Sequence, residues 1–337
     1  VRPSSAVLTD TSVRLWDLSF PADQAVVART RAAYVHLDNL IAYSKADRDA
    51  KVDAYLACFR PDETVLLFFL GGDLVNAAVL APAGRFPIAI SEAMMHLRAE
   101  PERAEIAFNM ASAEQLAAMY ATCSQKPIDL GLDASSTKTI FDNVMGKKWT
   151  GLLELIAHGG VNYVMVKDGR FAAGKFCDQD KKEDAKAFLA RMFAAKPGEA
   201  KSRVAVKAFA GLAELPQQAA PALVKVFRQY VWDLVEAAGK EIPDAPKRAE
   251  RIRQKLTLSH EALKSVGGAR GAGFADPIVT PAALAEGVAT WTKDFLAELE
   301  VVHPAIAVRL LKDATREQRF QFASIGFFER LPWRIEW

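Results

Sequence analysis

Cysteine is scarce in this 337-residue chain. Cys58, Cys123 and Cys177 stand far apart, with no Cys-x-x-Cys pair among them. An odd, widely spaced set excludes a disulfide framework and a zinc site of the usual spacing; it predicts a reducing compartment, the cytoplasm. An excess of one charge is also missing. Lys+Arg number 43 against 41 Asp+Glu, a formal net charge of +2. That balance excludes a surface tracking a nucleic-acid backbone along its length, and an acidic solvating tail. No apolar run reaches the ~20 residues of a membrane span. The most apolar, residues 64–80, contains Gly71-Gly72, Asp73 and Asn76. The opening Val1-Arg2-Pro3-Ser4 has no apolar signal core, so no export signal is expected.

Reactive motifs are equally sparse. His260-Glu261 has the first half of a zinc-protease motif, but Lys264 stands where the second histidine must fall, and a cation there repels a metal. The glycines between Gly267 and Gly273 lack the Gly-Lys-Ser/Thr of a phosphate loop and read as an interhelical connection, with Arg270 its one anion-binding candidate. No Gly-x-Ser-x-Gly elbow occurs, and the five histidines are dispersed. Asp142 and Glu154 could meet across a helix and a strand, but such carboxylate pairs are common and a solvated surface is the default for both. No catalytic residue, cofactor site or metal site is therefore expected.

What is present is a change of period along the chain. Residues 22–58 carry Val26, Ala33, Leu37, Leu40 and Ile41 at helical spacing, with a charged break at 47–53. Two apolar runs around Gly71-Gly72 predict a β-hairpin. Extended residues 86–90, a helix over 91–97, a strand over 106–110 and a helix capped by Ser112 follow. A second series starts near Ser135: a helix over 139–145, strands over 151–156 and 161–166, a turn at Asp168-Gly169, a strand over 171–177, a helix over 183–193 and a strand over 203–209. The two series parallel each other, with Leu37-Asp38-Asn39-Leu40-Ile41 against Phe141-Asp142-Asn143-Val144-Met145, and Asn76-Ala77-Ala78 against Ala172-Ala173-Gly174. One small meander cannot cover both its faces; two can cover each other. Beyond residue 216 the pattern is helical, over 217–238, 247–264, a stretch capped by Thr280-Pro281, and one from Pro304.

These readings predict an α+β protein. Two related small antiparallel-sheet-plus-helix units, residues 1–131 and 132–215, precede an α-helical C-terminal region, 216–337. Two features of that region suit partner binding. Lys247, Arg251 and Lys255 recur every four residues on one helix face, fit for an acidic protein or anionic lipid headgroups. Phe327, Phe328, Trp333 and Trp337 crowd the C-terminal tail, where aromatics serve either as an interface anchor or as an internal clamp.

Residues 140–177 also resemble a bacterial regulatory module, the PatA amino-terminal-like family. The likeness rests on the helix from Phe141, Thr150-Gly151-Leu152 with Glu154, Asp168-Gly169-Arg170, and Phe171-Ala172-Ala173. The resemblance implies a bacterial regulatory role without catalytic residues. The expected function is a non-enzymatic protein-interaction module, an adaptor or regulatory scaffold. The alternatives are an accessory subunit of a larger assembly peripheral to a membrane, and an enzyme whose site gathers distant residues. The expected partner is a protein or complex, with anionic membrane contact through it as a further option; nucleic acid is not expected.

Overall fold

The computed structural model describes residues 8, 13–45, 52–132, 136–180, 183–194, 204–267, 275–299 and 304–337. The charged break at 47–51, Ser135, the glycine-rich stretch from 268 with Arg270, and His303 lie outside the described residues. The chain divides into two compact units, one of residues 1–88 and 93–216, the other of residues 89–92 and 217–337.

The first unit holds two antiparallel sheets. In the first, β1 (Gln24–Arg31), β2 (Ala54–Phe59), β3 (Thr64–Leu70), β4 (Asp73–Ala81), β5 (Gly84–Pro87) and β6 (Glu105–Met110) lie in the order β1-β6-β2-β3-β4-β5. Helices α1 (Leu37–Tyr43), α2 (Ile90–Arg98) and α3 (Ala113–Ser124) punctuate that series. Ser112 caps α3 by accepting a hydrogen bond from the Gln115 amide. In the second sheet, β7 (Gly151–Ala157), β8 (Gly160–Lys167), β9 (Arg170–Lys175) and β10 (Ala205–Phe209) lie in the order β10-β7-β8-β9, with α4 (Thr137–Gly146) before β7 and α5 (Ala185–Phe193) before β10.

The helix expected over 22–58 is a correction. Gln24–Arg31 is a strand paired with β6, and among the described residues before β2 only Leu37–Tyr43 is α-helical. Val26, Val27 and Thr30 are β-branched and favour the extended chain; the apparent helical spacing came from adding Leu37, Leu40 and Ile41 of the next element.

Without β1 and β5, the first sheet reads β6-β2-β3-β4, which matches β10-β7-β8-β9. Both follow one path: helix, three-strand meander, helix, then a strand returning beside the first, all antiparallel. The central hairpins match in detail. Gly71-Gly72 and Asp168-Gly169 are two-residue turns with positive φ at both positions (58° and 80°, 50° and 77°), as a type I′ turn requires. Each turn is followed by two facing pairs and then one extra residue on the third strand, Val75 in one and Ala172 in the other. That register sets Asn76 opposite Phe68 and Ala173 opposite Met165, so Asn76 corresponds to Ala173, one position from the alignment read off the sequence.

Tyr55, Ala57 and Phe59 of β2, Leu152 and Ile156 of β7, Tyr163 of β8 and the apolar residues of α3 share one core. The opposite face of the second sheet, Leu153, Leu155, Val164 and Val166, packs on Ile140 and Val144 of α4 and on Phe188 and Met192 of α5. A sheet covered on both faces explains why β7 and β8 read as nearly continuous apolar runs.

The second unit is helical: α6 (Pro221–Glu241), α7 (Ala245–Leu256), α8 (Pro281–Glu298), α9 (Pro304–Thr315) and α10 (Arg319–Ser324). Thr280 caps α8 through the Ala283 amide, 3.1 Å away. Two boundaries are corrected. α6 runs through Gly239 to Glu241, where Ile242-Pro243 stops it. α7 ends at Leu256 rather than near 264: Thr257 and Ser259 hydroxyls bond back to the Gln254 and Leu256 carbonyls, and His260 is extended.

Candidate functional site

One charged pair is buried deep in the sheet unit. Glu154, in the middle of β7, has no exposed surface, and the Arg85 guanidinium from β5 donates to its Oε1 through Nη1. The matching position of the first sheet holds Ala57, so the carboxylate distinguishes the second sheet. β5, one of the two strands outside the shared pattern, delivers its cation. Lys207 of β10 and Tyr163 of β8 face Glu154 as cross-strand neighbours. Burial works against the Arg85 charge, but the adjacent carboxylate outweighs it and keeps the guanidinium firmly protonated. Burial and then Glu154 push the Tyr163 hydroxyl far above its usual range. Arg85 Nη2 and Glu154 Oε2 are buried without a hydrogen-bond partner among the described residues. The pair was not foreseen as a site: its members are 69 positions apart. The signal was a lone carboxylate in Gly-Leu-Leu-Glu-Leu-Ile-Ala, a strand otherwise apolar on both faces.

A cavity of about 580 Å³ lies in the helical unit between Val231, Trp232, Val235, Pro246, Ala249 and Trp291. Trp291 donates to the Ala249 carbonyl at 3.1 Å, while Trp232 Nε1 is buried without a partner among the described residues. At the rim the Glu250 carboxylate is gripped by Arg253 at 2.6 and 2.7 Å, which holds its pKa below the ordinary carboxylate value.

The solvated surface expected for Asp142 and Glu154 is corrected for Glu154, which is fully buried, and the two carboxylates do not meet. Asp142 is ion-paired with Lys138 one turn away on α4, whereas Glu154 points to Arg85. Of the basic helix face, Arg251 pairs with Glu298, and its neighbours Arg248 and Arg253 pair with Asp244 and Glu250. Lys247 and Lys255 are exposed. The tail is chiefly a clamp. Phe327 is fully buried, its ring centroid 5.3 Å from those of Phe227 and Tyr230, so it offers no surface to a partner. Phe328 and Trp333 are half-buried against the same core, and Trp337 keeps half its surface exposed.

All three cysteines are buried and unpaired. Burial pushes each thiol up to about 12, so none is a thiolate near neutrality. His36 caps α1 by accepting from the Asn39 amide, and His96 lies 3.0 Å from Glu63. Among the described residues no three His, Cys, Asp or Glu side chains gather as a metal site, and no helix is long and apolar enough to cross a membrane. No family model matches the chain, and neither a curated protein nor a solved structure shows significant similarity to it.

Proposed function

We propose that the chain is a non-catalytic interaction protein, an adaptor or regulatory scaffold, whose sheet unit arose by duplication of one helix–meander–helix–strand element. The observation that carries the duplication is the double occurrence of one hairpin: the same two-residue turn, the same two pairs and the same extra residue, in sheets of the same strand order. The resemblance of residues 140–177 to a bacterial regulatory module points the same way. Three buried, unpaired thiols suit a cytoplasmic setting.

The docking element in this reading is β9, whose partner is an extended segment of another protein. It forms one edge of its sheet, and its first three residues, Arg170, Phe171 and Ala172, are exposed. An edge strand offers unpaired amides and carbonyls, and strand addition to such an edge is a recurrent mode of peptide capture. β1, at an edge of the other sheet, carries two register shifts, which discourage pairing. The basic helix and the tail recede in importance, since Glu298 engages Arg251 at the centre of the former and the core takes up much of the latter. Native-abundance copurification from the source cell tests the reading, with Phe171→Asp as the control. The parent should carry a stoichiometric protein partner, and the variant should lose it while keeping its circular dichroism. A partner-free parent, or a variant that keeps the partner, would refute it.

A further inference from the structure

Beside the Arg85–Glu154 pair lies a second cavity, of about 250 Å³, at the junction of the two sheets. Arg85 of β5, Thr122 and Gln125 from the end of α3, and Lys207 and Phe209 of β10 form its wall. We propose that this cavity binds a small oxyanion, a carboxylate or phosphate group that also carries a hydroxyl or amine donor.

A guanidinium presents five N–H groups in a fixed fork. Arg85 commits Nη1 to Glu154, while Nη2 is buried with no partner among the described residues, and the side chain as a whole is 9% exposed. A buried donor left unpaired costs free energy, which a ligand oxygen recovers once the side chain turns this edge, now without accessible surface, into the cavity. Arginine suits an oxyanion in particular, since its fork matches the oxygens of carboxylate and phosphate. Lys207, the cross-strand neighbour of Glu154, adds an ammonium to the same wall.

The second requirement comes from Gln125. Its Nε2 donates to the Gly211 carbonyl at 2.9 Å, which leaves Oε1 as an acceptor, and that atom is buried without a partner among the described residues. A ligand that satisfies both Arg85 and Gln125 therefore brings an acceptor group at one end and a donor at the other. At ~30 Å³ per water-sized atom the cavity admits about eight such atoms, which fits a small hydroxy or amino acid or a phosphate. The site also gives the unequal inner faces a purpose: the carboxylate in place of Ala57 and the extra strand β5 together hold a guanidinium at the junction. This inference is independent of the β9 docking reading.

Calorimetric titration of the full chain with acetate, glycolate and inorganic phosphate, each alone, tests it. Glycolate or phosphate should bind saturably and at least tenfold more tightly than acetate, and the tighter of the two identifies the head group. Lys207→Met should weaken that binding at least fivefold. The double variant Arg85→Met/Glu154→Leu, which exchanges the pair for apolar side chains of similar size, should abolish binding while near-UV circular dichroism stays native. If no anion saturates, or acetate binds as well as the others, or either variant binds like the parent, the cavity holds water only and the proposal falls.

Discussion

Gly72 and Gly169 meet the same obstacle. A Cβ on Gly72 would lie 2.5 Å from the carbonyl oxygen of Ser44, just past the end of α1; a Cβ on Gly169 would lie 2.5 Å from Cα of Met145, in the last turn of α4. In both sheets the central hairpin turn is thus seated on the end of the helix that precedes the meander. Positive φ and backbone in the way of a side chain both demand glycine there.

Alanine at either position combines left-handed strain with a clash that no rotamer relieves. Gly72→Ala and Gly169→Ala should each lower unfolding free energy by roughly 1–3 kcal/mol. Urea denaturation measures this, and two losses of similar size are expected because the seats are alike. A change within ±0.5 kcal/mol, the range of an ordinary surface substitution, would show that the turns are not so held.

Removing one member of the buried pair strands the other. Glu154→Leu alone should cost about 3–5 kcal/mol, because the Arg85 charge is left in the core. The double variant Arg85→Met/Glu154→Leu should recover most of that loss. A double-mutant cycle by chemical denaturation separates the two; additive losses would contradict the pairing.

Alkaline pH should destabilise the fold. Cys58, Cys123 and Cys177 hold their protons up to about 12 when folded, whereas an unfolded thiol releases its proton near its ordinary value of 9.0. Between those values the unfolded chain binds fewer protons, so unfolding free energy falls as pH rises, by up to ~1.4 kcal/mol per pH unit and per thiol. Tm should be flat below pH 8 and drop steeply above 9. Replacing the three cysteines with alanine should flatten that drop; an unchanged slope would contradict it.

The tail clamp makes its own prediction. Phe327 packs with Phe227, Tyr230 and Phe322 at centroid separations of 5.1–5.3 Å. Phe327→Ala should cost about 3–5 kcal/mol, and Trp337→Ala much less, since half of Trp337 is already in water. Thermal melts of the two variants compare them directly.

Local chemistry carried much of the fold. Asp168-Gly169, Ser112 and Thr280 announce their turn and caps by residue type, and the structure places all three as expected. β1 is hidden in the sequence because helical spacing runs on across it and the adjoining α1. The polar pattern of α7 continues past Leu256 and masks its end, while the hydroxyls that end it act through single hydrogen bonds. The site was the least legible part. A lone glutamate in an apolar strand marks Glu154 as unusual, but its partner Arg85 reaches it through the topology of a strand outside the repeated pattern. Nothing in the spacing of those two residues encodes that meeting.

In the proposed function β9 grips an extended partner segment. Hydrogen–deuterium exchange on the native complex, compared with the stripped chain, tests it most directly. Exchange at residues 170–175 should slow in the complex, with the opposite edge at β10 unchanged. Equal exchange over 170–175 in both states would contradict it.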